Sequence, residues 1–167
     1  MSITIEKVAV LGAGTMGAQL AGHVANAGIP ALLYDLNEEL VSKGRENLTK
    51  LKPAPLYNPK NVDLVEGCTY DKDLERLGEV DWVVEAVAEN LEIKHTVYKQ
   101  VAQHVKDDIL LSSNSSGLPV VQIAKALPEK LRSRFVLTHF FNPPRYLRLV
   151  EILSLIHISA PTRRYAI

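Results

Sequence analysis

The stretch Lys7-Val8-Ala9-Val10-Leu11-Gly12-Ala13-Gly14-Thr15-Met16-Gly17 constrains the fold more than any other part of this chain. A valine-rich run, of the kind that fills a strand buried on both faces, breaks at once into three glycines spaced G-x-G-x-x-G. The alanine-rich segment 18–27 follows and reads as a helix. The three glycines serve different physical ends. Gly12 permits a tight turn, Gly14 lets the backbone approach a pyrophosphate, and Gly17 lets helix and strand pack closely. The pyrophosphate then rests on unpaired N–H groups at the positive end of the helix. Gly12, Gly14, Thr15, Met16 and Gly17 are therefore candidate contacts to a dinucleotide.

The surroundings of the motif strengthen this reading. A second apolar run, Ala31-Leu32-Leu33-Tyr34, ends in Asp35, 18 positions after Gly17. A carboxylate at that distance binds the adenosine ribose hydroxyls. The competing reading makes Asp35 an acidic cap for the next helix, ahead of Asn37 and Glu38. No Arg or Lys occurs between Asp35 and Lys43, so nothing close in sequence would neutralise a 2′-phosphate. The expected cofactor is NAD rather than NADP.

Strand and helix patterns alternate along most of the chain, which predicts an α/β fold: a Rossmann-like, mostly parallel, doubly wound sheet. Segment 38–51 reads as an amphipathic helix, and the prolines of 52–59 forbid one there. Residues 61–66 read as a short strand, 71–77 as a short helix, and 81–87 as a buried strand. A helix over 91–105, a strand over 109–112, a helix over 119–127 opened by Pro119, and a strand over 135–139 follow. In such sheets ligands lie beyond the carboxyl ends of the strands. Those ends carry Asp35, Ala88-Glu89-Asn90, Ser113-Asn114-Ser115-Ser116 and His139-Phe140-Phe141-Asn142.

At 167 residues, one domain can bury roughly 70% of its unfolded surface, enough for a real core. Zero net charge argues against nucleic acid or an anionic membrane as partner. A single cysteine, Cys68, excludes an internal disulfide and suits a reducing compartment. No apolar run approaches the length of a membrane span, and Met1 to Lys7 lack the pattern of an export signal. Cytoplasm is the expected location, and no metal is expected.

An enzyme that oxidises an alcohol with a nicotinamide cofactor needs a base for the hydroxyl proton, and histidine serves well near neutral pH. His23, His95 and His104 fall within helices and read as surface or packing residues; His157 lies in an anomalous tail. His139 alone ends a buried strand. Unaided, a strand-end histidine is more often a structural residue, whereas a partner carboxylate would orient its ring and stabilise its protonated form. Glu151, in the apolar run Leu149-Val150-Glu151-Ile152, reads either as that partner or as the outward face of an edge strand.

Gly12 to Gly17, Ala88-Glu89-Asn90-Leu91, Ser113-Asn114-Ser115-Ser116, His139-Phe140-Phe141-Asn142-Pro143 and Leu149-Val150-Glu151 together resemble the NAD-binding domain of the L-3-hydroxyacyl-CoA dehydrogenases. The resemblance runs from about Ile5 to Ile152. Segments 52–56 and 142–147 are more similar to the fusion proteins in which this domain is joined to an enoyl-CoA hydratase domain. The resemblance implies that His139 is the general base, Glu151 its carboxylate partner, and Ser116 a contact to substrate and nicotinamide. It further implies that Asp35 binds the adenosine ribose and that Glu89, Lys94 and Asn142 contact the cofactor. No coenzyme A contacts carry over to segment 37–66, which is shorter and differently composed than in the stand-alone enzymes. The implied reaction is oxidation of an L-3-hydroxyacyl-CoA to the 3-ketoacyl-CoA in fatty-acid β-oxidation.

Residues 1–152 are thus expected to form the NAD-binding domain. Residues 153–167 continue neither the family pattern nor a helix and resemble a translated sequencing adapter, differing at Ala160, so they are expected to be a non-native tail. The family's helical second domain, which completes the acyl-CoA cleft and makes the homo-oligomer contact, is expected to be absent, leaving a chain that binds NAD with little turnover. Two other readings stand: a non-catalytic NAD-binding or sensing module, and another β-hydroxyacid dehydrogenase. The latter enzymes usually rely on a lysine in their second domain and lack the His-Phe-Phe-Asn-Pro stretch.

Overall fold

The structure, a computed structural model, describes residues 4–155 and the backbone of 163–166. His157 and most of the expected tail lie outside the described residues. Among the described residues, eight strands form one sheet in the order β3-β2-β1-β4-β5-β6-β7-β8. They are β1 (Val8–Leu11), β2 (Ala31–Asp35), β3 (Val65–Thr69), β4 (Trp82–Glu85), β5 (Leu110–Ser113), β6 (Phe135–Phe140), β7 (Leu149–Ser154) and β8 (Arg163–Ala166). The first six in spatial order are parallel, while β7 runs antiparallel to β6 and β8 antiparallel to β7. This is the expected doubly wound, Rossmann-like architecture. β7 continues two residues beyond Ile152.

The sequence folds this way because the central strands are apolar on both sides. All four residues of β1 are buried. Val8 and Val10 face one core with Ala18, Leu20 and Ala21 of helix α1 (Thr15–Asn26) and Leu48 of α2 (Glu38–Lys50). Ala9 and Leu11 face the other core, where Val97, Tyr98 and Val101 of α3 (Leu91–Val101) pack. Two short helices, α4 (Val120–Ala124) and α5 (Glu129–Arg132), add Ile123, Ala124 and Leu131 to that second core. Covered faces explain why these strands read as continuous apolar runs rather than alternating ones. Beside α1, Ile5, Val24, Trp82 and Phe140 border an apolar recess of about 390 Å³ that also takes the ring of His23.

Several local expectations are corrected. Only residues 65–66 of the expected 61–66 strand are extended, because Pro59–Leu64 forms a 3₁₀ helix capped by the Asn58 side chain on Lys60 N–H. The short helix expected over 71–77 is a 3₁₀ helix over Leu74–Glu79. α3 ends at Val101, and 102–105 turn away with their N–H groups bonded to Tyr98, Gln100 and Val101 carbonyls. Pro119 caps α4 in extended geometry rather than entering it, and Pro128 opens α5 as a helix of its own.

The strand order reverses between β1 and β4, where connections leave the sheet in opposite directions. A crevice opens at such a point beyond the strands' carboxyl ends. The glycine turn after β1 and the segment 86–90 after β4 form its two sides.

Candidate functional site

Gly12 has φ of +100°, a backbone region that a side chain would strain, and its N–H donates to the Tyr34 carbonyl at 2.8 Å. A Cβ on Gly17 would stand 1.7 Å from the Gly12 carbonyl oxygen, so only glycine lets α1 approach the turn this closely. Gly14 caps α1 without a side-chain hydrogen bond, no acidic residue occupies the first turn, and a Cβ there would meet nothing within 4 Å. The helix thus offers unpaired N–H groups to open space, which fits the pyrophosphate of NAD. Asp35 accepts the Ala13 N–H at 2.7 Å and the Leu36 N–H at 2.7 Å, tying the glycine turn to the end of β2. It does not cap α2; Asn37 does, accepting from Leu40 N–H. The fold also brings in a cation that sequence distance concealed, since Lys72 reaches this corner and pairs there with Glu38.

On the other side of the crevice lies a cleft of about 460 Å³. Gly14, Met16, Glu89, Lys94, Ser116, His139 and Asn142, all singled out from the sequence, line it together with Asn114 and Phe141. Thr15 is exposed at the start of α1, while Gly12 and Gly17 are buried beneath the turn. Glu151 stands behind His139, its Oε2 3.1 Å from His139 Nδ1, with both side chains about four-fifths buried. The two residues are direct partners across the β6–β7 pair. The ring of Phe141 lies 4.6 Å from that of His139, fixing its other side. Asn142 Oδ1 accepts from Gln19 Nε2 at 3.1 Å, and Asn114 Oδ1 accepts the Phe140 N–H at 2.8 Å. These bonds join the segment after β6 to α1 and to the end of β5.

Beneath the cleft runs a charged network whose centre sequence reasoning does not find. Glu85, the last residue of β4, is fully buried. Its Oε1 accepts from Lys94 Nζ at 2.7 Å and from Val87 N–H at 2.8 Å, and its Oε2 accepts from Ser113 Oγ at 2.6 Å. Lys94, also buried, reaches the Val87 carbonyl and Glu89 Oε2, each at 3.4 Å. Glu89 Oε1 in turn accepts from Ser115 Oγ, Ser116 N–H and Gly117 N–H. Partial burial pushes the Glu89 carboxyl pKa up, but the Ser115 and Gly117 donors and the Lys94 ammonium outweigh it and hold the group below its ordinary value. A carboxylate inside the apolar run 81–87 is the signal that could flag Glu85, because a buried charge must find a partner.

The helix histidines stand apart from this chemistry. His95 Nε2 bonds the Gln122 carbonyl at 2.7 Å, and His23 packs edge-on to Phe140 with its Nδ1 unpartnered. Burial lowers the His23 pKa.

Known proteins share this arrangement of sequence and fold. The family model described as "3-hydroxyacyl-CoA dehydrogenase, NAD binding domain" matches residues 7–163. A Deinococcus radiodurans protein named "Probable 3-hydroxyacyl-CoA dehydrogenase" is 42% identical over 89% of this chain, which spans 45% of that protein. The Pseudomonas putida fatty acid oxidation complex subunit alpha is 36% identical over 89% of the chain, and there the match spans 21% of the longer protein. Among solved structures, FadB2 of M. tuberculosis superposes with a TM-score of 0.77 at 30% identity, covering 89% of this chain and 54% of that one. The 3-hydroxybutyryl-CoA dehydrogenase of Escherichia coli K12 gives 0.77 at 29% identity, covering 89% and 32%. The chain accordingly spans about half or less of the relatives it matches, and it belongs to the NAD-binding domain family of the 3-hydroxyacyl-CoA dehydrogenases.

Proposed function

We propose that this chain is the cofactor-binding portion of an enzyme that oxidises an L-3-hydroxyacyl-CoA to the 3-ketoacyl-CoA in fatty-acid oxidation. The observation that carries the reading is the His139–Glu151 pair at the edge of the cleft. With Nδ1–H donated to Glu151, the neutral ring keeps Nε2 as the proton acceptor for the substrate hydroxyl. Glu151 then stabilises the imidazolium that forms, as a carboxylate does behind the base of a hydrolase triad. NAD⁺ bound here would supply the acceptor for the hydride of the carbon that bears this hydroxyl. Gly14 and the first turn of α1 would hold its pyrophosphate, Asp35 its adenosine ribose, and Glu89, Lys94, Ser116 and Asn142 the end nearer His139.

We assign the acyl-CoA cleft and the homo-oligomer contact mainly to the helical second domain that the family resemblance implies. On this reading the chain alone binds NAD and turns over little. The cytoplasm is its proposed compartment; no helix among the described residues is long and apolar enough to cross a membrane. A non-catalytic NAD module is the second reading, and the His139–Glu151 pair weighs against it.

The test joins this chain to the remainder of a relative and compares it with the His139→Gln variant. NADH titration by fluorescence and acetoacetyl-CoA reduction are measured on the same samples. The variant is expected to keep NADH affinity and to lose a factor of roughly 10² to 10⁴ in turnover. Near-normal turnover refutes the assignment of the base, and binding without reduction by the unsubstituted protein favours the module.

A further inference from the structure

Glu89 and Lys94 stand five residues apart, and in the structure Lys94 has a nearer carboxylate than Glu89. Lys94 Nζ lies 2.7 Å from Glu85 but 3.4 Å from Glu89. Glu85 is fully buried, and its neighbours Ser113, Tyr98 and the Val87 N–H are all neutral donors. The single ammonium is therefore matched chiefly by the carboxylate below it. Glu89 shares that ammonium at a longer distance, so two carboxylates stand on one cation, and the excess negative charge is presented by Glu89 on the wall of the cleft, about two-fifths exposed. Among the described residues lining that cleft, the other ionisable side chains are Lys94 itself and His139.

We propose that Glu89, only partly neutralised because Glu85 holds the shared Lys94 ammonium more closely, makes the cleft discriminate between the oxidised and reduced forms of the nicotinamide cofactor. The inference rests on the assignment of NAD to this site. A dinucleotide seated on the glycine turn and extending toward His139 crosses the cleft that Glu89 lines. Hydride uptake converts the cationic nicotinamide of NAD⁺ to the neutral ring of NADH, so one unit of charge disappears at this end of the cofactor. A fixed carboxylate favours the form that carries the charge, and a partly dehydrated cleft screens that attraction less than bulk water does. The backbone N–H groups of Ser116 and Gly117 hold the carboxylate in place, so its charge cannot swing away as the ring changes. Glu85 acts as a positioning residue: it touches no ligand, and it sets the net charge by fixing where the ammonium belongs.

The test measures dissociation constants of the purified chain for NADH by fluorescence, and for NAD⁺ and ADP-ribose by displacement of NADH. Glu89→Gln keeps an oxygen acceptor for Ser115, Ser116 and Gly117 but removes the charge. It is expected to weaken NAD⁺ relative to NADH by about tenfold, equivalent to about 1.4 kcal/mol, with ADP-ribose changed by less than about twofold. Glu89→Asp, which keeps the charge, should restore most of the ratio. Glu85→Gln, which lets the ammonium turn toward Glu89, should shift the ratio in the same direction as Glu89→Gln. A merely structural role would weaken all three ligands in parallel. That outcome, or an affinity ratio unchanged within twofold in Glu89→Gln, overturns the proposal. Failure of the unsubstituted chain to bind NADH at all would instead remove the cofactor assignment, and the proposal with it.

Discussion

Two glycines of the turn should respond to the same substitution in opposite ways. In Gly17→Ala the new Cβ falls 1.7 Å from the Gly12 carbonyl oxygen and 2.9 Å from its carbon. Reaching even a tight contact of 3.0 Å needs a displacement of about 1.3 Å. Neither side can yield easily. Gly12 is held by its hydrogen bond to Tyr34, and its own α-carbon already faces the Ala86 backbone so closely that a Cβ there would lie 2.8 Å from that carbonyl oxygen. The first turn of α1 must therefore lift from β1, loosening Ala18 and Ala21 from the core. Overpacking of this kind costs about 3 kcal/mol, or roughly 6–12 °C in melting temperature for a domain of this size. The displaced N–H groups should also lose NADH affinity by more than about 100-fold, since each bond to a charged oxygen is worth roughly 1.5–3 kcal/mol. Gly14→Ala meets open space at φ −64°, and the unfolded-state gain of alanine offsets its poorer fit at a helix N-cap, so stability should change by less than about 1 kcal/mol. Its Cβ stands instead where the pyrophosphate must approach, and NADH affinity should fall by at least about tenfold. Thermal melts and NADH titrations on both variants decide the matter. A melting temperature for Gly17→Ala within about 2 °C of the parent, or full NADH affinity in Gly14→Ala, would refute the reasoning.

Three further outcomes are expected. Lys94→Met strands the fully buried Glu85 carboxylate and should cost about 3–5 kcal/mol in urea unfolding. Combining it with Glu85→Gln should recover most of that loss, and simple additivity of the two would contradict the pairing. Burial lowers the His23 pKa, so the unfolded state binds more protons near pH 6 and stability is fully present above about 6.5. It should fall as pH drops from there through the folded value, and His23→Leu should flatten that decline when urea midpoints are compared between about pH 7.5 and about pH 5.5. Arg145 donates to the Ala54 and Leu56 carbonyls at 2.6 Å each and stacks 4.5 Å from the Tyr57 ring, so Arg145→Ala should speed proteolytic cleavage within 52–59 severalfold. Unchanged cleavage would mean the proline-rich segment is held by other contacts.

What can be seen in the sequence depends on how local its cause is. The glycine turn is defined by neighbours a few residues apart, so motif, strand and helix are all legible. The order of elements follows from apolar periodicity, which the two covered faces of the sheet impose. The 3₁₀ helix over 59–64 is mistaken for a strand because Val62, Leu64 and Val65 imitate one, although the Asn58-Pro59 pair carries a helix-start signal. His139 and Glu151 can each be picked out as polar residues in apolar runs, but their pairing depends on an antiparallel return that no local pattern states. Glu85 is hidden for a related reason. Its partners arrive from α3 and from β5, and only the assembled sheet brings them to one carboxylate.

The cross-strand placement of His139 and Glu151 also fixes which changes in chain length the pair can survive. Thr138–Ile152 and Phe140–Val150, the neighbouring rungs, point to the opposite face. Inserting one residue early in β7 would carry Glu151 through the sheet, and inserting two would return it to the same face about 7 Å away along the strand. The connection over 141–148 lies outside this ladder, so its length can drift while the rungs hold. For the register of the pair, tolerance to insertion at this edge is therefore stepwise: an insertion in the loop beyond Asn142 leaves the rungs in place, whereas one in the strand breaks them.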